Sequence, residues 1–309
     1  MKKKIKKIRN FFRIINIHIK DFFKEIKYCG FYNESSYKVP WRILLLSHSI
    51  EKGLSIPEKR KNFGEDKAKD LCKYLKLYNK KEDYVYNEGK SVINSYIKYR
   101  KENELSYKEF QVEDDIEDKL QGGINTITKN EVEYNFKEFE KLCNIRHSVR
   151  EYSDEYVTIE KIKEAIKIAS KAPSACNRQM TKVYCSNKPQ VNKELAKIIP
   201  GNTGFKDEHA TYLFLTSDYF AFDYFELEQW YLNGGIFIAY LQLAFAAKQI
   251  GSCIYQWPKD KKKEKKVKEI LNIPKNEIIV SVLGVGNYKE KFSVLKAKRK
   301  EIKDIFICE

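Results

Sequence analysis

Apolar residues return every three or four positions along the first 31 residues, at Ile5, Ile8, Phe11, Phe12, Ile15, Ile19, Phe22, Phe23 and Ile26. That period predicts an amphipathic helix. The same spacing runs through 41–50, 68–77 and 85–99, punctuated by Gly53, Pro57, Gly64 and Gly89, so 36–103 reads as helical. From 104 to 135 the pattern lapses. Glu113, Asp114, Asp115, Glu117 and Asp118 precede a Gly122-Gly123 pair, the composition of an acidic connector, and a boundary near 130 follows. Beyond it helices and strands alternate. Helices are expected at 136–145 and 158–171, β-like runs at 183–186 and 211–216, a long apolar helix at about 226–250, a Lys-rich helix at 259–271 and a strand at 277–283. A helix as apolar as 226–250 must be covered on more than one side, which predicts an α+β layered domain. The expected organisation is a basic amphipathic helix (1–31), a helical N-terminal domain with its connector (32–130) and the α+β domain (131–309).

Composition fits folded units: of 309 residues, 42% are hydrophobic and 33% charged. Lysine and arginine number 59 against 43 acidic residues, a formal charge of +16, which admits nucleic acid, anionic lipid or a phosphorylated cofactor as partner. Codon bias gives the same composition. Ten of the cations lie in 1–31, with two acidic residues. Such a helix either lies on an anionic leaflet or packs its apolar stripe on the rest of the chain, and both readings stand. Nucleic acid is not expected, because no recognisable fold motif accompanies the charge. Seven cysteines, an odd number without a Cys-x-x-Cys pair or metal-like spacing to histidine, argue for a reducing compartment and no metal site. Arg13, Asn16, His18, Lys20 and Asp21 interrupt the first apolar stretch, so no signal peptide is expected, and no run reaches about 18 uninterrupted apolar residues. The expected location is the cytoplasm, peripheral to the inner membrane face if the first helix binds lipid.

Four segments carry candidate chemistry. Arg146-His147-Ser148-Val149-Arg150 alternates two guanidinium groups and a hydroxyl on one side of an extended chain, a set suited to a phosphate or the polar edge of a ring, with His147 turned away. Ala172-Pro173-Ser174-Ala175-Cys176-Asn177-Arg178-Gln179 is a helix-to-strand loop whose side chains and amides are free to face a ligand. In Gln249-Ile250-Gly251-Ser252-Cys253 the glycine is expected to end the long helix and let backbone approach a flat group. Gly284-Val285-Gly286 precedes the basic run Lys296-Ala297-Lys298-Arg299-Lys300. Taken singly, each is equally a turn, a cap or solvated surface. In the N-terminal half, His48, Glu51 and Lys52 share one helical face ahead of Gly53, either as a helix end or as a lid or second contact site.

In this order and spacing the four segments resemble the nitroreductase family, over slightly more than half of the chain. The resemblance rests on Arg146, Ser148 and Arg150, then Ala172, Pro173, Ser174, Asn177 and Gln179, then Gly251, Gly284, Gly286 and Arg299. It implies a three-layer sandwich around a central, mostly antiparallel sheet, and FMN held at a homodimer interface. Arg146, Ser148 and Arg150 would meet the phosphate, ribityl or ring edge. Ser174 and Asn177 would approach from the partner, Pro173 and Gln179 would join them in binding the cofactor, Gly251 would present backbone to the ring, and Lys298 and Arg299 would take the phosphate. The implied activity is hydride transfer from NADPH or NADH through flavin to a small-molecule electron acceptor (a nitro compound, quinone, enone or biosynthetic intermediate), with no side-chain catalytic base. The alternative is a non-catalytic flavin-binding or peripheral membrane module on the same scaffold. The chain departs from the family pattern at Met180 and Thr181 after the loop, and at Ser252 and Cys253 after Gly251.

Overall fold

The computed structural model describes residues 2–30, 36–60, 62–110, 112 and 122–308, with the backbone alone at 2–4 and 30. The acidic run at 113–118 lies outside the described residues. Helix α1 (Lys2–Glu25) passes into a π-helical turn at Ile26–Gly30. Three helices follow: α2 (Val39–Ser55), α3 (Glu65–Leu77) and α4 (Tyr84–Glu102). A proline in the first turn fixes the start of α2, and the Asp83 side chain accepts from Tyr86 N to cap α4. Their shared core is Ile43, Ile50, Leu71, Leu75, Val92, Ile93 and Tyr96. Gly53 and Gly89 do not break helices. A Cβ on Gly89 would meet Ile43 and Leu75 methyls at 2.7 and 2.9 Å, and one on Gly53 would meet the Phe63 ring at 2.4 Å. Both glycines are sites where neighbouring elements touch helix backbone.

The second part contains α5 (Phe136–Ile145), α6 (Ile159–Ala169), β1 (Thr181–Tyr184), α7 (Pro189–Ile198), β2 (Thr211–Asp218), α8 (Gln229–Ala247), β3 (Ile250–Tyr255), α9 (Lys261–Leu271) and β4 (Glu277–Asn287). The sheet runs β1-β2-β4-β3 with every pairing antiparallel. Alternation along β2 sends Tyr212 and Phe214 to one face and Leu213 and Leu215 to the other. The first pair packs on Leu195 and Ile198 of α7 and Val267 of α9; the second packs on Ile162 and Ala165 of α6 and on Leu241 and Phe245 of α8. Helices therefore cover both faces, and the α+β three-layer expectation holds, with a helical part ahead of it. By length and composition α8 is the one helix among the described residues able to cross a membrane, yet half of it is buried in the molecule.

The two parts share a core. Cys29 is buried among Met180, Tyr219, Phe222 and Trp230, with Tyr28 and Trp41 packed against them. Lys38, 2% exposed, donates to the carbonyls of Cys29 (2.9 Å) and Phe222 (3.3 Å) and pairs with Asp223 at 3.4 Å.

Candidate functional site

Residues 146–150 leave the end of α5 and run beside β3, an edge strand. Val149 N donates to Ser252 O at 3.0 Å, and Ser148 forms a parallel bridge with Ser252. Tyr152 locks the turn beyond, its hydroxyl donating toward the carbonyls of Val149 (3.0 Å) and Gly284 (3.1 Å). Arg150 Nη1 donates to Ser148 O at 3.2 Å, and its guanidinium lies 5.5 Å from the centre of the Phe205 ring. Arg146 and Arg150 are half-buried, and neither has a carboxylate partner among the described residues. Burial pushes the Cys253 thiol up; Arg150, Ser148 and Arg146 act in the opposite direction, and the Asp207 carboxylate adds to the rise. Two cations and a hydroxyl thus gather on one sheet edge, a ready anion site.

Gly251 differs from expectation. It lies inside β3; α8 ends instead at Ala247, and the chain turns into the strand at Gln249, whose φ is +57°. A Cβ at Gly251 would approach Val149, Tyr152 and Tyr288 at 3.1 to 3.2 Å, so the glycine admits the 146–152 segment against the strand.

The loop before β1 is held in an unusual conformation. Cys176, Asn177 and Gln179 have φ of 51°, 49° and 52°, each in the left-handed region that costs a non-glycine residue about 1–2 kcal/mol. Several contacts over-determine it. Ser174 Oγ accepts from Gln179 N at 3.0 Å, and Asn233 Oδ1 of α8 accepts from Ala175 N at 2.7 Å. Arg178, 2% exposed, forks onto Glu226 at 2.5 and 2.9 Å, and also donates to the carbonyls of Ala175 and Ala221. Gln179 Nε2 donates to Tyr84 Oη of α4 at 2.7 Å. Pro173, Ser174 and Gln179 line one groove of about 490 Å³ with Val183, Asn233 and Phe237; Asn177 stands outside it.

The basic tail forms a third, separate group. Lys298 and Arg299 are exposed, and Arg299 donates to the neighbouring Ala297 O at 3.1 Å. Among the described residues, no hydrogen bond or ion pair joins the tail to Arg146 or to the 174–179 loop. Those two groups are themselves far apart, at opposite edges of the sheet. β1 and β3 are separated by three strand spacings, roughly 14 Å. Along β4, the level of Thr181 corresponds to Ile278 and that of Ser252 to Val285, a further distance of roughly 24 Å.

On α2, Glu51 reaches the connector and Lys52 faces elsewhere. Burial first, then Lys52 and Arg178, holds His48 below its ordinary pKa. Glu51 Oε1 accepts from Gly123 N at 2.9 Å. Lys52 lines a different groove with Ser49, Arg60 and Phe63. Arg178, Glu226, Asn233 and Tyr84 were not singled out from sequence. Asn233 alone carried a signal, as an amide within an apolar helix.

Residues 145–231 match the Nitroreductase family model. No curated protein matches the chain. Among solved structures, the chain is similar to a nitroreductase family protein from Streptococcus pneumoniae (25% identity, 55% of this chain and 100% of that chain, TM-score 0.47). It is also similar to an FMN-dependent nitroreductase from Clostridium difficile (20% identity, 54% and 98%, TM-score 0.46).

Proposed function

From the likeness of residues 145–231 to the nitroreductase family, we propose that the chain is an FMN-dependent oxidoreductase working as a homodimer. It passes hydride from NADH or NADPH, by way of the flavin, to a small organic acceptor of the nitro, quinone, enone or biosynthetic-intermediate type. The observation that carries this reading is the pair of half-buried arginines, Arg146 and Arg150, flanking Ser148 with no carboxylate paired to either among the described residues. A guanidinium held out of water without a counter-charge favours an anionic ligand, and a phosphate or the polar edge of a ring supplies one.

The residues present fit the cofactor. The arginine edge suits the phosphate and polar atoms, and the groove beside Pro173, Ser174 and Gln179 has the volume and mainly apolar walls of a small-molecule pocket. Bound flavin supplies the hydride chemistry. Arg146 and Arg150 hold the anionic portion, Ser148 hydrogen-bonds it, and the 174–179 loop orients the ring and narrows access for water. Lys298 and Arg299 close on the phosphate from the tail.

Two chains are needed because the arginine edge and the loop lie farther apart in one chain than a single FMN can bridge, so one protomer's arginines would face its partner's loop. Exposed Phe136, Phe139, Ile168 and Tyr240, together with Ile305 and Phe306 in the tail, offer apolar surface for that contact. In the cell the proposed location is the cytoplasm.

The purified chain should be yellow, bleach with NADH or NADPH and recover colour with an acceptor. Bound flavin that no nicotinamide reduces would replace the enzyme by a flavin-binding module. Arg299→Ala should lose flavin more readily than Lys263→Ala; equal retention removes the phosphate role from the tail.

A further inference from the structure

Helix α1 is held to the body by the wrong face for a core helix. Ile17, Asp21 and Lys24 sit against Tyr231, Trp257 and Pro258, with Asp21 paired to Lys259 at 2.9 Å and Lys24 to Glu264 at 3.4 Å. At 3.6 residues per turn, Ile5, Ile8, Phe12, Ile15, Ile19, Phe22 and Phe23 fall in an arc about 100° wide, centred roughly opposite that contact. They are exposed accordingly: Ile8 by 57%, Phe12 by 63% and Phe23 by 64%. The body grips the polar side and presents the apolar stripe outward, along a helix of 24 residues that is about 36 Å long.

We propose that α1 is a surface anchor that lays this stripe into an anionic phospholipid bilayer. Charge identifies the occupant. The first 20 residues contain eight Lys or Arg and no Asp or Glu, and Lys6, Lys7, Arg9, Arg13 and Lys20 meet no carboxylate among the described residues. A second copy of the helix packed stripe to stripe would set these cations against their own kind. An anionic leaflet compensates them, while the stems of Arg9 and Lys20, beside the stripe, keep their charges at the headgroups. The many cations rule out a span and fit a helix lying in the interface. This inference stands apart from the flavin reading, since no candidate site residue lies on α1.

The test is cosedimentation of the full chain with vesicles of phosphatidylcholine, with and without phosphatidylglycerol, alongside sedimentation velocity without lipid. The wild-type chain should bind only vesicles containing phosphatidylglycerol, and more weakly as salt rises. Arg9→Gln with Arg13→Gln should weaken binding about 25-fold, at roughly fivefold per charge. Phe12→Glu with Ile19→Glu, at exposed positions that the fold does not use, should abolish it and leave the oligomeric order unchanged. Three results overturn the proposal: no binding to anionic vesicles at low salt, undiminished binding by the Phe12/Ile19 variant, or a change in that variant's oligomeric order in place of its vesicle binding.

Discussion

Arg178→Met tests whether the strained loop is held from beneath. Arg178 is 2% exposed, and it is the only cation paired with Glu226 among the described residues, at 2.5 and 2.9 Å. Removing one partner of a buried pair costs about 3–5 kcal/mol, chiefly because the other charge is left uncompensated. The Glu226 side chain is 18% exposed, so water recovers part of that, and a loss of about 3 kcal/mol at neutral pH is expected. The pH dependence sharpens the test. Burial alone would raise the Glu226 pKa, but hydrogen bonds from Arg178 and from Asp223 N hold it below its ordinary value of 4.5. A depressed carboxyl contributes stability above its unfolded pKa and loses it as pH falls through the folded value. In Arg178→Met the burial effect acts without the arginine, Glu226 moves upward, and acid neutralises the stranded charge. Urea unfolding should therefore show a wide gap between wild type and variant at pH 7 and a narrower one at pH 4. Arg178→Met with Glu226→Leu should be more stable than Arg178→Met alone. A gap below about 1 kcal/mol at pH 7, or one equal at both pH values, refutes the account, whose threshold is set well under the buried-pair range.

Glu88, 5% exposed on α4, has its pKa raised from 4.5 to about 7 by burial and then by Glu51. The folded state therefore binds more protons than the unfolded between those values, and stability falls as pH rises from 4.5 to 7. Glu88→Gln should stabilise the chain by roughly 2–3 kcal/mol at pH 8 and hardly at pH 5, read from thermal unfolding at the two pH values; equal gains at both would contradict it. A chain beginning at residue 131 would leave Tyr219, Phe222 and Trp230 without Tyr28, Cys29 and Trp41, Asp223 without Lys38 and Arg42, and Gln179 without Tyr84. Its thermal midpoint should drop by roughly 10 °C, with more binding of a hydrophobic dye, and an unchanged midpoint would show that the shared core adds nothing to stability.

Strong local periodicity made elements legible, and long-range pairing decided the rest. The helix at 136–145 was readable because Phe136, Phe139 and Leu142 recur at helical spacing behind Asn135, whose side chain caps Lys137 N. β3 was hidden because Ile250-Gly251-Ser252-Cys253 continues the apolar run of α8, and the only break is a left-handed Gln249, where no glycine announces it. α7 was missed for the opposite reason: of its ten residues, only Leu195 and Ile198 are buried apolar contacts, too few to stand out as a period. At the site, residue types were visible but their partners were not. Nothing near Arg178 points to Glu226, 48 residues on, and nothing near Gln179 points back 95 residues to Tyr84. Strand order and level along the strands act together. The arginine segment and the 174–179 loop are separated by roughly 14 Å across the sheet and roughly 24 Å along it, and neither distance can be read from the motifs. The order β1-β2-β4-β3 puts them at opposite edges, which is why the proposed function calls on a second protomer to bring the two motifs together.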